Sequence, residues 1–330
     1  MTAGSPQPSN WPLASGLVVG VVADALLGDP ARCHPVGLFG QAATALEWHV
    51  YADSRWRGAG FTAASVLLAA GPVAAAAQLT RRNLTARLAV AATATWAVTG
   101  ARSLAAEAGR IQRLLSAGDV PAARHLLPRL CGRDPAGLDT AGIARAVVES
   151  VAENTSDAIV APLLWGALGG PVGLTGYRAI NTLDAMVGHH SPRYERFGWA
   201  SARLDDVANW TPARVTALLA AACSPAVGGQ PAFTWQTAQK DGPRHPSPNA
   251  GWCEAAFAGA LGVQLGGTLS YGRRVEHRPG LGAGRAPAPA DIARAVRLSR
   301  AITAVATALA AALALAGAPA RVQPLRGRPG

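Results

Sequence analysis

Lysine is nearly missing from this chain. Lys240 is the only one among 30 basic residues, so arginine carries the net charge of +11. Acidic residues number only 19, charged residues make up 15% of the 330, and aromatic residues 5%. Such sparse charge excludes a heavily solvated surface. A hydrophobic share of 50% and a mean hydropathy of +0.18 suit a membrane protein with substantial loops. Scattered arginines with few aromatics between them argue against a nucleic-acid partner. The four cysteines, Cys33, Cys131, Cys223 and Cys253, stand far apart without a CxxC pair. That excludes a zinc knuckle or a disulfide framework. Met1 to Asn10 holds no Lys or Arg, so the apolar run after it lacks the n-region of a secretory signal. Also missing are GxxxxGK[ST], HExxH, GxSxG and a GxGxxG opening a helix after a strand. A nucleotide, if used, is held without a P-loop.

Long apolar runs are what the chain has in abundance. Leu13 to Leu27 is interrupted only by Asp24 and stops at Gly28-Asp29-Pro30, because proline cannot continue the helical ladder. Phe61–Leu79, Leu88–Ala101, Ala158–Tyr177, Val215–Phe233, Ala255–Gly272 and Ala301–Ala320 carry no charge. A bilayer core takes about 20 apolar residues of helix. The fold expected is an all-α, polytopic integral membrane bundle with polar, partly helical loops, multi-pass in the cell membrane. Residues 11–320 read as one membrane-embedded catalytic domain, and 321–330 as a basic disordered tail. If every run spans once, basic residues divide evenly between the two sides. Ala158–Tyr177 and Val215–Phe233 both contain Pro and paired Gly. Read as re-entrant, they restore a positive side and bring the polar clusters together.

Those clusters bracket Ala158–Tyr177, and nearly half of the acidic residues fall between Glu149 and Trp210 or just beside that stretch. Glu149, Glu153 and Asp157 recur at helical spacing, so they share one broad face. They read as a solvated stripe with Arg145 or as a site. Asn154, Thr155 and Ser156 beside them favour a site, supplying caps and ligands at a helix N-terminus. In YRAINTLDAMVG, Arg178, Asn181 and Asp184 suit a phosphate with a hydrated Mg²⁺. In SARLDDVANW, Arg203, Asp205, Asp206 and Asn209 lie three and four residues apart. A proline-stiffened loop presents Arg244, His245, Ser247 and Asn249, with Asn249 as cap and Glu254 in the first turn of the next helix. Asp29 and His34 join the set if a site lies nearby. Asp24 reads as a charge at a helix end or as a side chain facing a cavity.

LLGDPARCHPVGLFG, ESVAENTSDAIVAPLLWGALGG, YRAINTLDAMVG, FGWASARLDDVANWTPARVTA and HPSPNAGWCEAAFAGALGVQLGG resemble the CbiB/CobD family, the membrane-bound adenosylcobinamide-phosphate synthases of cobalamin biosynthesis. The resemblance runs in order from about Asp24 to Gly272. It departs at Ala158, Ala250 and Cys253, where Gly, Ser and Pro are usual. It implies an ATP-dependent amide ligation of adenosylcobyric acid to aminopropanol phosphate or aminopropanol. The lipid bilayer and other late cobalamin-pathway membrane enzymes are the expected surroundings. Set against that chemistry, Glu149, Glu153, Asp157, Asp184, Asp205 and Asp206 are the catalytic candidates. Glu153, Asp157 and Asp184 are the candidate Mg²⁺ ligands. Asn154, Arg178, Asn181, Arg203, Asn209, Arg244, His245, Ser247, Asn249, Glu254, Asp29 and His34 are candidates for substrate and phosphate. Trp165, Trp199, Trp210 and Trp252 are platforms for a corrin or belt residues at the interface. A transporter, which needs ionisable residues inside its spans, and a tethering subunit are the competing readings.

Overall fold

Two glycines one helical turn apart, Gly16 and Gly20, let helix α1 (Trp11–Leu27) lie directly against α4 (Leu84–Val98). A Cβ at either position would overlap Ala91 or Thr95, the close small-residue approach that packs helices in lipid. In the computed structural model, which describes residues 10–30, 34–132, 134–271 and 274–317, nearly everything is helix. After α1 come α2 (Pro35–Val50), α3 (Arg55–Leu79), α4, α5 (Ala101–Ser116), α6 (Val120–Leu126), α7 (Thr140–Thr155), α8 (Ala161–Leu183), α9 (Trp199–Cys223), α10 (Pro231–Asp241), α11 (Ala250–Leu261) and α12 (Pro289–Ala316). One antiparallel hairpin, β1 (Leu265–Tyr271) with β2 (Arg274–Leu281), separates the last two helices, Leu265 facing Leu281.

The chain is an all-α polytopic membrane protein. Among the described residues, three helical stretches are long and apolar enough to cross a bilayer: Arg55–Leu79, Thr140–Gly188 and Pro289–Ala316. Trp11–Leu27 is a shorter apolar helix. Trp48, Trp56, Leu67 and Leu79 stand more than two-thirds exposed, an outer surface that water would not tolerate in such density but lipid does. The core is drawn from α1, α4, α5, α7, α8, α9, α11 and α12, with α11 almost wholly buried.

Two of the expected spans do not exist as single helices. Val215–Phe233 is broken where α9 ends at Cys223 and Gly228 turns left-handed at φ 79° before α10. Ala255–Gly272 is broken where Gly262 ends α11 at φ 66° and the chain turns into β1. Glycine tolerates these dihedrals at no steric cost; proline and paired glycine mark the break in Val215–Phe233 in the sequence itself, whereas Ala255–Gly272 reads as a span. Helix α12 starts well before the expected Ala301, and the tail at 321–330 lies outside the described residues. Ala158–Tyr177 is the more informative case. Gly170 (φ 63°, ψ −155°) breaks α8, and Pro171 starts its second half. The two halves then pack on each other: a Cβ at Gly173 would overlap the Trp165 carbonyl, and one at Gly166 would lie 2.7 Å from Leu174 Cγ. The segment doubles back on itself rather than running straight.

Buried charge is spent on helix ends. The Asp24 carboxylate accepts from the Arg102 amide (3.2 Å) at the start of α5, while the Arg102 guanidinium donates to the Ala25 and Leu26 carbonyls that end α1 (2.8 and 2.6 Å). Asp24 therefore joins two helix termini. Arg294 does similar work, donating to Leu261 O and Val227 O (2.8 Å each). Gly173→Ala should lower stability in detergent by about 1–3 kcal/mol through overpacking. Gly176→Ala, one turn on and with open space around it, should leave the melting curve unchanged or raise it slightly. Thermal denaturation followed by tryptophan fluorescence checks both.

Candidate functional site

Both polar clusters run into a turn of π-helix, which holds Ser156 and Asp157 in the first and Asp184 in the second. Helix α7 runs without interruption into a π turn at Ser156–Val160 and then into α8, and α8 runs into a second at Asp184–Gly188. Asn154, Thr155 and Ser156 therefore do not cap a helix N-terminus, as their composition suggested. Asn154 Nδ2 donates to Ser150 O (2.9 Å), and the Thr155 hydroxyl donates to Val151 O (2.6 Å) and is paired with the Ser299 hydroxyl on α12 (2.8 Å). Backbone bonding of this kind lets polar side chains sit mid-helix. The wider π turn re-aims the side chains that follow it, which is why such turns recur at functional sites. At the second turn, a Cβ on Gly188 would collide with the Asp184 carboxylate. Glycine there gives the carboxylate its room.

Twenty-seven residues of straight helix would put Asp157 and Asp184 about 40 Å apart. The reversal at Gly170 instead leaves both on the wall of one cavity of about 960 Å³. Glu153 and Ser156 join them from α7 and the first π turn, Asp205, Asp206 and Asn209 from α9, and Ser247 and Asn249 from the loop before α11. Arg55, Arg203 and Arg278 supply positive charge to the same walls. Asn181 is the hub behind them. Its amide donates to Asp157 Oδ2 and Asp205 Oδ1, 3.3 Å each, and its oxygen accepts from Arg178 Nη1 at 3.5 Å. Asn209 donates to Asp205 Oδ1 (3.0 Å) and accepts from the Tyr177 hydroxyl (2.7 Å). Burial pushes the Asp205 carboxyl up to about 6, although the Asn209 and Asn181 amides pull it down; Asp206 adds to the rise. Asp206 is raised by burial and lowered by Arg203, 3.6 Å away.

Several expected residues lie elsewhere. Glu149 accepts the Gly266 amide on its Oε1 (2.7 Å) and anchors the start of β1; it lines a smaller neighbouring chamber with His245 and Glu254, not the large cavity. Arg178 faces a separate apolar cavity between α3, α4 and α8. His34 pairs with Asp29 (3.3 Å) and accepts the Val36 amide at the start of α2 (3.1 Å), so both hold that corner of the fold. Arg244 is over half exposed and paired with Asp241 (3.2 Å), outside the walls of both cavities. Asn249 does not cap α11 with its side chain. Its amide donates to Asp206 O (2.8 Å), and Ser247 Oγ accepts the Ala250 amide instead (3.1 Å). Glu254 falls beyond the first turn of α11 and is buried.

Of the four tryptophans, only Trp199 lines the large cavity, with Arg55 5.3 Å from its ring. Trp165 donates to Ala208 O (3.0 Å), and Trp210 and Trp252 stack on Arg214. Sequence reasoning overlooked Arg55, Tyr177 and Arg278. Arg55 opens α3 and Arg278 belongs to β2, so both are distant in sequence from the clusters, and only a contact across the fold could have singled them out. Among the described residues no group of three or more His, Cys, Asp or Glu side chains is close enough together to hold a metal ion.

The CobD/Cbib protein family matches residues 17–299. The Cobalamin biosynthesis protein CobD of Mycobacterium tuberculosis is 52% identical over 297 residues, covering 90% of this chain and 94% of that protein. The protein of the same name from Chromobacterium violaceum is 42% identical over 287 residues, covering 86% and 90%. That of Rhodobacter capsulatus is 49% identical over 206 residues, covering 62% and 64%. No solved structure matches. With a family match over most of its length and relatives of this identity across nine-tenths of it, the chain belongs to the CobD/Cbib family of cobalamin biosynthesis.

Proposed function

We propose that the protein is an ATP-dependent ligase, multi-pass in the plasma membrane, with its catalytic unit within residues 11–320. It joins a propionate carboxylate of adenosylcobyric acid to the amine of aminopropanol phosphate or aminopropanol. The observation that carries this reading is the gathering of Glu153, Asp157, Asp184, Asp205 and Asp206 on one large cavity that also presents Arg55, Arg203 and Arg278. Cavities that enclose drug-sized ligands measure roughly 300–1,000 Å³. This one is at the upper end, as a bulky corrin side chain and a nucleotide phosphate together require. Other membrane-bound enzymes of the late cobalamin pathway are its expected neighbours.

A carboxylate is a poor electrophile. Transfer of the ATP γ-phosphoryl group to it forms an acyl phosphate and releases ADP. Attack by the amine then forms the amide bond and breaks the bond to phosphate. The arginines on the cavity wall hold phosphate oxygens and stabilise charge that develops on them. The ammonium must lose a proton before it attacks. Asp205, held near 6, can accept it at neutral pH. The donor set fits Mg²⁺, which takes only one or two carboxylates and keeps its waters. Asp157 and Asp205 are bridged by a neutral amide (3.3 Å each), which leaves their charge for a cation. Glu153, Asp157 or Asp184 would hold it, and it would neutralise the ATP phosphates.

The test uses detergent-purified protein with adenosylcobyric acid, MgATP and either amine, read by mass spectrometry for condensation with loss of water and for ADP. Product without ATP, or solute flux in liposomes with no product, would overturn the ligase reading. Asp157→Asn and Asp184→Asn should each lower turnover at least about 100-fold while membrane insertion is unchanged in a fractionation assay. The kcat/KM profile should fall as pH drops through about 6, because Asp205 is protonated below that value and cannot accept a proton. Asp205→Asn should remove that limb together with most of the rate.

A further inference from the structure

Helices α2, α3, α4 and α8 enclose a separate cavity of about 580 Å³ whose walls are apolar except at Arg178 and three threonines. Its volume lies within the range of cavities that take small ligands. Thr175 and Thr182 already donate to Pro171 O (3.0 Å) and Arg178 O (2.7 Å) in their own helix. Arg178 is the one charged side chain on these walls. Its Nη1 reaches Asn181 Oδ1 at 3.5 Å, while its Nε is buried without a hydrogen-bond partner. Two acids act on it only from beyond ion-pair distance: Asp157, which takes the Asn181 amide (3.3 Å), and Asp29, which is paired with His34 (3.3 Å). Among the described residues nothing bonds the other edge of the guanidinium, Nε and Nη2. That edge is a pair of parallel donors, matched to the two oxygens of a carboxylate. A cation in apolar surroundings without an acceptor is costly, and such residues inside membrane proteins mark ligand sites.

We propose that this cavity holds a fatty acid, its single chain between α3 and α4 and its carboxylate on the Nε edge of Arg178. The walls argue for one chain and a small head. A phospholipid brings a glycerol and a second chain, and beyond one guanidinium the walls give its polar groups almost nothing to bond. The bilayer is the source. Leu38 on α2 and Leu67 and Leu68 on α3, each about half exposed or more, make the outer faces of two of the walls lipid-facing. The inference does not depend on the ligase reading, although one side chain links the two. Asn181 meets the guanidinium with its oxygen and holds Asp157 and Asp205 with its amide, so an occupant touches the group behind those acids.

The probe is a diazirine-bearing palmitic acid, added to the full chain in phosphatidylcholine nanodiscs and crosslinked by light. Mass spectrometry of the peptides locates the label. It should fall on residues 69–76 of α3 and 89–98 of α4, which line the cavity. Unlabelled palmitate should compete at least about tenfold better than methyl palmitate, which keeps the chain and lacks the charge. Val73→Phe fills the cavity from α3, and Arg178→Met removes the partner of the head group. Both should abolish labelling of those segments, with melting curves to verify folding. Equal competition by the ester, or label spread evenly over the exposed helix faces, would overturn the proposal. So would competition by phosphatidylglycerol alone, which would assign the cavity to a phospholipid. The ester comparison uses wild type and decides the matter even if a variant does not fold.

Discussion

The Asn181 side-chain amide donates to Asp157 on one side and to Asp205 on the other, at 3.3 Å each, and so ties the first π turn to α9 from a position on α8. Carboxylates crowded on one cavity repel one another, and burial removes the water that would screen them. A fold that gathers them must offset that cost with fixed donors. Asn181, Asn209 and the Tyr177 hydroxyl form that frame, with the Arg178 guanidinium behind it. The groups that make the frame are neutral where they touch the acids. They position the carboxylates without cancelling the negative charge that a cation or a protonated amine needs.

That frame depends in turn on where the backbone bends. A straight helix would have carried Asp184 far from Asp157. The glycine at 170 allows the reversal, the proline after it starts the return half, and close glycine contacts at 166 and 173 hold the halves together. Irregular backbone of this kind persists within a membrane protein only where neighbouring helices cover it, and α9, α12 and α4 all pack on α8. The two π turns belong to the same logic. Each adds a residue without ending the helix, which keeps the backbone bonded internally while turning an acid toward the cavity.

The division between a large cavity and a small chamber gives the site its chemical asymmetry. Arginines are spread over the large cavity together with acids, which suits phosphate transfer at a carboxyl group. The chamber behind Glu153 is smaller and richer in glutamate than in arginine. Leu67 and Leu79, exposed on α3, line neither cavity.

Sequence alone determined the helical membrane character, the concentration of carboxylates between Glu149 and Trp210 and the family resemblance. These follow from composition and spacing. Which residue caps α7 was decided by the structure, where Asp139 Oδ1 accepts the Gly142 amide at 2.7 Å and satisfies an orphan donor. Tertiary structure decided which of the acids share a wall. Glu149 and Glu153, one turn apart, part company because the Gly266 amide claims the first. Ala255–Gly272 looked like a span because hydropathy does not register a left-handed glycine, here Gly262, inside an apolar run. Arg55 and Arg278 entered the site from opposite ends of the chain, and no local pattern encodes a contact made between residues more than 200 positions apart. The residues that carry charge were visible in the sequence; their distances from one another were set by the bend at Gly170 and the packing around it.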